Sequence, residues 1–579
     1  PPVVPATMVP VERELMRNLQ MWLLLVAISA GTSSAQTTAE IDLGEVSETH
    51  VWVPMRDGKR LSASLYLPPG KGPFPGLFEQ RYANLRGRTT RQLAARLAAT
   101  GYGVLHVNFR GAQESEGTWV GYRALAGDAL QDGYDTCEWL ATRQWCTGKI
   151  GTFGSSQGGF AQNFLAITRP PHLTCQYMVD TGLSLFQEGY RLGGGTRPDR
   201  FKGMEAVCRV PQHNRDLMTQ WFAHPNYDTY WEAEDCARHF DRMNVPCLTI
   251  GSWFDFMNQG SIASFQGRQH RGGPRSLGQQ QLLIGPWLHG RRNKGHQVGE
   301  LHFPEHAAIS VHDSMVAWFD QHLKGKTAST QQQAPVKYYV MGAAGEPGAP
   351  GNLWRSAADW PPPARTVPLY LGANRGAGGV LQPDEPTDPT ASTSYQSDPQ
   401  HPMQIPGRSF PGARDARSFE TQSEVLTFTS SALEQPVEWT GPVEAELYFS
   451  STARDTDLIV RVCDVYPDGR SILLIGYPWR LRYREGFRQE VLLSPGEVVK
   501  VRFRVGWLSQ IFNRGHRIRV TIASTGAPLY EPNPQTGLAL TVEFPDKTVT
   551  AVNTVYHNQQ HASRILAPVI TEQTGKKEQ

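Results

Sequence analysis

The apolar positions change rhythm twice along the chain, and those changes divide it. From Val51 the sequence reads as a hairpin: Val51-Trp52-Val53-Pro54, a Met55-Arg56-Asp57-Gly58 turn, then alternation over 61–67. After Pro68-Pro69-Gly70, short apolar runs at 76–80, 103–108 and 149–153 alternate with helical stretches at 91–99 and 128–142. That spacing predicts a mostly parallel sheet with helices on both faces. The alternation breaks over 183–242, which is rich in Gly, Arg, His and aromatics such as Trp221, Phe222, Tyr227, Tyr230 and Trp231, so a cap is expected there. It resumes with apolar runs at 245–251 and 281–286, a helix near 261–268, and a helix over 306–323 stopped by Lys324-Gly325.

Past the polar stretch 327–333 and Pro361-Pro362-Pro363, the helical period fades. Runs at 425–429, 443–449, 458–465, 498–505 and 518–522 alternate or are β-branched, with turn residues between them. The expected architecture is an α/β core in two parts, 48–182 and 243–330, with a helical cap at 183–242 and an all-β sandwich or jelly roll at 365–568.

Length agrees with several domains, since 579 residues exceed the roughly 250–300 that one core usually holds. The 56 basic and 54 acidic residues nearly cancel and are scattered, so nucleic acid is not an expected partner. One segment stands apart: Met16-Arg17-Asn18-Leu19-Gln20, an apolar run at 22–30, then Gly31-Thr32-Ser33-Ser34-Ala35. A basic start, a short apolar stretch and small residues predict a signal peptide cut near Ala35, hence a secreted or periplasmic protein, with 1–15 an upstream segment. The apolar run is too short to span a bilayer comfortably, so no membrane span is expected in the mature chain. An exported chain can form disulfides, and Cys137, Cys146, Cys175, Cys208, Cys236, Cys247 and Cys463 are an odd set without zinc spacing. Bridges and buried thiols both stay open.

The strongest chemical signal is Lys149-Ile150-Gly151-Thr152-Phe153-Gly154-Ser155-Ser156-Gln157-Gly158-Gly159, a strand running through G-x-S-x-G into a helix. Glycines flanking Ser156 allow a sharp turn that lifts its hydroxyl above the sheet. The helix start aims backbone N–H groups, that of Gln157 among them, at the place where an oxyanion would form. Ser155 is the rival nucleophile but lacks the flanking spacing. A serine needs a base and the base an orienting acid, in the order Ser, Asp, His for this turn. Asp255, in Gly251-Ser252-Trp253-Phe254-Asp255, and His289, in Gly285-Pro286-Trp287-Leu288-His289, each follow a predicted strand. Spacing alone leaves Asp255 open as a helix N-cap and His289 as a surface-loop histidine.

These residues lie within a wider pattern over 51–568 that resembles the cocaine-esterase-like (CocE/NonD) serine hydrolases, relatives of X-prolyl dipeptidyl aminopeptidases, α-amino-acid ester hydrolases and cephalosporin acylases. The likeness rests on Met55-Arg56-Asp57-Gly58, Asn108-Phe109-Arg110-Gly111, Asp132-Gly133-Tyr134-Asp135, the serine turn, His224-Pro225, Trp253-Phe254-Asp255, Gly285-Pro286-Trp287-Leu288-His289, Trp318-Phe319-Asp320 and Gly515-His516-Arg517. It implies an α/β-hydrolase core, a helical cap and a C-terminal jelly roll. It also implies Ser156, Asp255 and His289 as the catalytic triad, with an oxyanion hole made by the Gln157 N–H and a tyrosine hydroxyl, matched here by Tyr82. Two departures stand out: Gln157 where the family commonly has tyrosine, and Arg81 where it has proline. The Gln157 change is expected to alter the pocket wall.

The expected activity is hydrolysis of small esters or amides, without a metal or organic cofactor. An X-Pro dipeptidyl peptidase is the alternative. It would need acids near the nucleophile, and Glu114, Glu116 and Asp228 are candidates that read first as solvated or structural carboxylates. A non-catalytic binder of carbohydrate or a protein partner is a third reading. Oligomeric state stays open.

Overall fold

Strand β1 (Ser47–Pro54) and β2 (Arg60–Leu67) pair antiparallel in full register, the predicted hairpin. In this computed structural model the described residues are 41–127, 129–290, 293–326, 334–373, 378–406, 412–539 and 547–571; the segment 16–35 expected to be a signal peptide lies outside them. The described residues from Gly44 onward belong to one unit.

Six further strands continue the first sheet: β3 (Phe74–Arg81), β4 (Gly103–Asn108), β5 (Cys146–Ser155), β6 (Leu173–Val179), β7 (Cys247–Phe254) and β8 (Gln281–Leu288). With β9 (Val336–Val340) and β10 (Leu353–Ala357), the order is β1-β2-β4-β3-β5-β6-β7-β8-β9-β10. From β4 to β9 every neighbour is parallel, and β10 closes the edge antiparallel. Every residue of β4 and of β7 is buried, as expected for strands covered on both faces. The sheet therefore runs past residue 330, because Leu282 to Ile284 of β8 pair with Val336 to Tyr338.

Helices α1 (Arg88–Ala99), α2 (Asp132–Ala141), α3 (Gln157–Thr168), α4 (Asn258–Arg271) and α5 (Val311–Lys324) connect or flank these strands. Helix α5 starts later than the expected 306. Glu305–Ala307 forms only a 3₁₀ turn, and the Ser310 hydroxyl caps α5 by accepting from the Asp313 N–H at 3.2 Å. A serine cap satisfies an end that His306 could not, while the Gly325 stop stands where expected, in the left-handed region.

Between β6 and β7 lies the cap, with helices Pro198–Glu205 and Pro211–Ala223 and several single turns. Its aromatic residues Phe186, Tyr190, Trp221 and Trp231 pack with Phe160 and Phe164 of α3, so the cap shares a core with the helix that follows Ser156. Residues beyond 364 form a β-rich C-terminal region whose sheet has eleven strands among the described residues. Its long strands include β11 (Val437–Ser451), β12 (Asp457–Val465), β13 (Ser471–Arg480), β14 (Val499–Phe512) and β15 (Arg517–Ala523). One apolar cluster runs from Leu282, Ile284 and Tyr338 of the first sheet to Val460 and Trp507 of the second. The cap is tied to the second sheet as well: Arg480 N–H donates to Gly193 O at 2.8 Å and Tyr227 N–H to Phe487 O at 2.7 Å. None of the seven cysteines is bridged, and all but Cys146 are buried. No helix among the described residues is long and apolar enough to cross a membrane.

Candidate active site

Strand β5 ends at Ser155, and Ser156 follows with φ 55° and ψ −113°, a conformation a residue with a Cβ adopts only under strain. The strain is held by neighbours: Ser156 N–H donates to Val179 O and Phe160 N–H to Ser156 O, each at 3.0 Å. A Cβ on Gly154 would stand 3.0 Å from the Gly158 backbone, so glycine lets α3 begin against the strand it leaves.

Asp255 immediately follows β7 and His289 immediately follows β8, so the sheet order brings both carboxyl ends beside that of β5. His289 Nε2 lies 2.9 Å from Ser156 Oγ, and His289 Nδ1 lies 2.8 Å from Asp255 Oδ1. This assigns the Nδ1–H tautomer, in which Nε2 accepts from the serine hydroxyl. The Asp255 side chain is fully buried and also accepts from the Met257 N–H at 3.0 Å. Burial pushes its carboxyl above the ordinary range against the opposing pull of His289. Ser155 ends its strand, and among the described residues the bond to His289 belongs to Ser156.

Behind this relay stands a pair that the sequence reasoning missed. Asp180, one residue past β6, accepts from the Gly290 N–H at 2.6 Å and so fixes the loop that carries His289. Lys294 Nζ meets Asp180 Oδ2 at 2.6 Å, Ser252 Oγ at 2.9 Å and Leu288 O at 2.9 Å, with both ionic side chains fully buried. Burial alone would raise the Asp180 carboxyl, but Lys294 and His289 hold it below the usual range. Its place at a strand's carboxyl end was a legible signal; nothing marked Lys294, because a lysine reads as exposed. Donor atoms of Asp180, Asp255 and His289 lie within 4.8 Å of one another, the spacing a metal would need. Among these three, Asp180 pairs with Lys294 and His289 with Ser156 and Asp255.

The half-buried Gln157 side chain reaches the loop after β3, where its Oε1 accepts from the Tyr82 N–H at 3.0 Å and from the Ala83 N–H at 3.3 Å. It ties the loop after β3 to the helix after Ser156. The half-buried Tyr82 ring stands edge-on to Phe109 and Trp119, with centroids 5.7 and 5.5 Å away. The acids suggested for a peptidase are engaged elsewhere: Glu114 with Arg86, Glu116 with Arg60 and Asp228 with His224, each at 2.6 Å.

The chain matches the X-Pro dipeptidyl-peptidase (S15 family) over 57–213 and 203–291, and the X-Pro dipeptidyl-peptidase C-terminal non-catalytic domain over 328–566. It is 28% identical to the cocaine esterase of Rhodococcus sp. (strain MB1 Bresler) over 584 residues, covering 90% of this chain and 98% of that one. Among solved structures, an α-amino acid ester hydrolase superposes with a TM-score of 0.79 at 24% identity, over 93% of this chain and 100% of that one. An aminopeptidase from a marine sediment Thaumarchaeota archaeon gives 0.79 at 23% identity, over 94% and 99%. With two adjoining family matches, a cocaine esterase relative of nearly equal length and this shared fold, the chain belongs to the CocE/NonD serine hydrolases, α/β hydrolases with a β-rich C-terminal domain.

Proposed function

We propose that this hydrolase cleaves esters of small carboxylic acids through an acyl-enzyme on Ser156, with His289 as base and Asp255 as its orienting partner. The observation that carries the reading is the continuous relay Ser156–His289–Asp255, at 2.9 and 2.8 Å, on a strained turn at the carboxyl edge of the sheet. His289 Nε2 takes the hydroxyl proton as Oγ attacks the ester carbonyl, and the buried Asp255 stabilises the imidazolium. The Gln157 N–H and the Tyr82 hydroxyl receive the oxyanion. Collapse of the tetrahedral adduct expels the alcohol, which takes the proton from His289. Water, deprotonated by the same imidazole, then releases the acid and restores Ser156.

An ester substrate is favoured over a peptide with a free N-terminus because Glu114, Glu116 and Asp228 already have cationic or histidine partners. The relay speaks against a purely binding role. Export is part of the proposal and rests on the 16–35 pattern; mass spectrometry of protein from its native host should find a chain beginning near Gln36.

The test is labelling with a fluorophosphonate together with turnover of p-nitrophenyl esters and X-Pro anilides. Ester turnover should exceed anilide turnover. Ser156→Ala should abolish labelling and lower kcat by roughly 10⁴-fold or more, and His289→Ala should do comparable damage. Labelling that survives Ser156→Ala but not Ser155→Ala would refute the assignment.

A further inference from the structure

A cavity partly open to solvent lies where the segment after β7 meets the second sheet. Asp255 and Phe256 line one side; Arg461 of β12, Tyr477 of β13, Trp507 of β14 and Tyr530 line the other. Most of the wall is apolar or aromatic; its polar members are Asp255, which is held by His289, Asn258, Gln259 and Arg461. Arg461 is the cation among them, 4% exposed, with neither terminal guanidinium nitrogen meeting a hydrogen-bond partner. It forms no ion pair among the described residues, and the ionisable groups that bear on it are Tyr530 and Cys463, both held neutral by burial. Its guanidinium lies over the Phe419 ring, 4.6 Å from the centroid. Burial pulls its pKa only to about 10, so the group stays charged near neutrality.

The neighbouring strand is shaped for this side chain. Gly476 pairs directly with Arg461, and a Cβ there would stand 2.7 Å from Arg461 Cγ. A buried cation without a counter-charge is costly, and a bound anion would offset that cost. Charge fixes the partner as an anion. The aromatic wall fixes a flat or apolar body, and the planar fork of the guanidinium matches a carboxylate.

We infer that this cavity binds an organic carboxylate with an aromatic or apolar body, its charge neutralised by Arg461. Phe256 links the cavity to the relay, since its ring also packs on that of His289 with centroids 4.7 Å apart. Two sources share this chemistry: the acid released by the proposed hydrolysis, in which case the inference rests on that reading, or a separate effector.

The experiment is calorimetric titration of benzoate into the Ser156→Ala chain at constant ionic strength, so that binding is read without turnover. Benzyl alcohol serves as the uncharged control. Benzoate should bind and benzyl alcohol should bind far more weakly. Arg461→Met in the same background should weaken benzoate by about thirtyfold or more, while its melting temperature without ligand stays level or rises. Equal binding of acid and alcohol overturns the inference, as does unchanged benzoate affinity in Arg461→Met. A melting temperature several degrees lower without ligand also overturns it, by making Arg461 structural. Fluorophosphonate labelling of the unsubstituted chain separates the sources: blocked benzoate binding identifies the reaction's own acid, and retained binding a separate effector. If Ser156 fails to label at all, the proposed function fails while the carboxylate site is still tested by titration.

Discussion

Lys294 and Arg461 are both buried cations near the Asp255-Phe256 segment, yet their surroundings are opposite. Lys294 has three acceptors within 2.9 Å, one of them the buried Asp180 carboxylate, and through Asp180 it holds the loop of His289. Neither terminal nitrogen of Arg461 meets an acceptor. Around the relay each buried carboxylate faces a basic side chain, Asp180 with Lys294 and Asp255 with His289, the arrangement that keeps reacting atoms in place. In the cavity behind it the match is left to a molecule from outside. Burial of a charge is thus not one signal: the count of partners separates a scaffold from a binding site.

The largest effect that could break this comparison is expected at Lys294. Lys294→Met leaves the Asp180 carboxylate buried without its cation, so about 3–5 kcal/mol of stability should be lost, read as a lower midpoint in urea unfolding. Ester turnover should fall as well, because Gly290 and His289 lose their anchor. A stability equal to the parent would show that the pair is not matched as its distances indicate.

Tyr82→Phe sharpens the front of the site. Loss of one oxyanion donor should lower kcat by roughly a hundred- to thousandfold, about 2.7–4 kcal/mol, with KM nearly unchanged. A packing tyrosine would instead keep its rate and lose about 1 kcal/mol of stability. Steady-state kinetics beside thermal melts decide between them.

A smaller effect is expected at Glu188, a buried carboxyl of the cap held by the Leu183 and Ser184 N–H groups at 2.8 and 2.7 Å. Burial raises its pKa to about 7, against the backbone bonds that favour the anion. The folded chain therefore keeps a proton there that the unfolded chain gives up near pH 4.3. Its contribution to stability falls as pH rises from about 4.3 to 7 and is level above that. Glu188→Gln should flatten this slope and raise the melting temperature at pH 8 relative to the parent; an unchanged pH profile would remove the argument. Arg461→Met ends the series, with a change in stability near zero or favourable and its main effect on ligand.

Much of the fold was legible because its signals are local. The hairpin, the alternation of strands and helices, and the change to β-rich sequence beyond 364 follow from period and turn residues within a few positions of each other. The start of α5 was misplaced because a 3₁₀ turn and a serine cap differ from a continuous helix only in which group satisfies the first N–H donors. That β9, beyond the expected core end at 330, pairs with β8 is a choice made between strands rather than within one.

The same division runs through the site. By itself the sequence determined the turn at Ser156, since Gly154, Gly158 and the strand before them act over a few residues, and it set Asp255 and His289 each just past an apolar run. Only the tertiary structure decided that these groups meet, because Ser156 and His289 are 133 positions apart and their contact depends on the order of the strands. It also decided that Gln157 Oε1 meets the Tyr82 backbone, that Lys294 finds three acceptors, and that the terminal nitrogens of Arg461 find none. The physical reason is the range of the interactions: backbone preference and hydrophobic period are properties of neighbours in the chain, whereas the partner of a buried polar group is whatever packing places beside it.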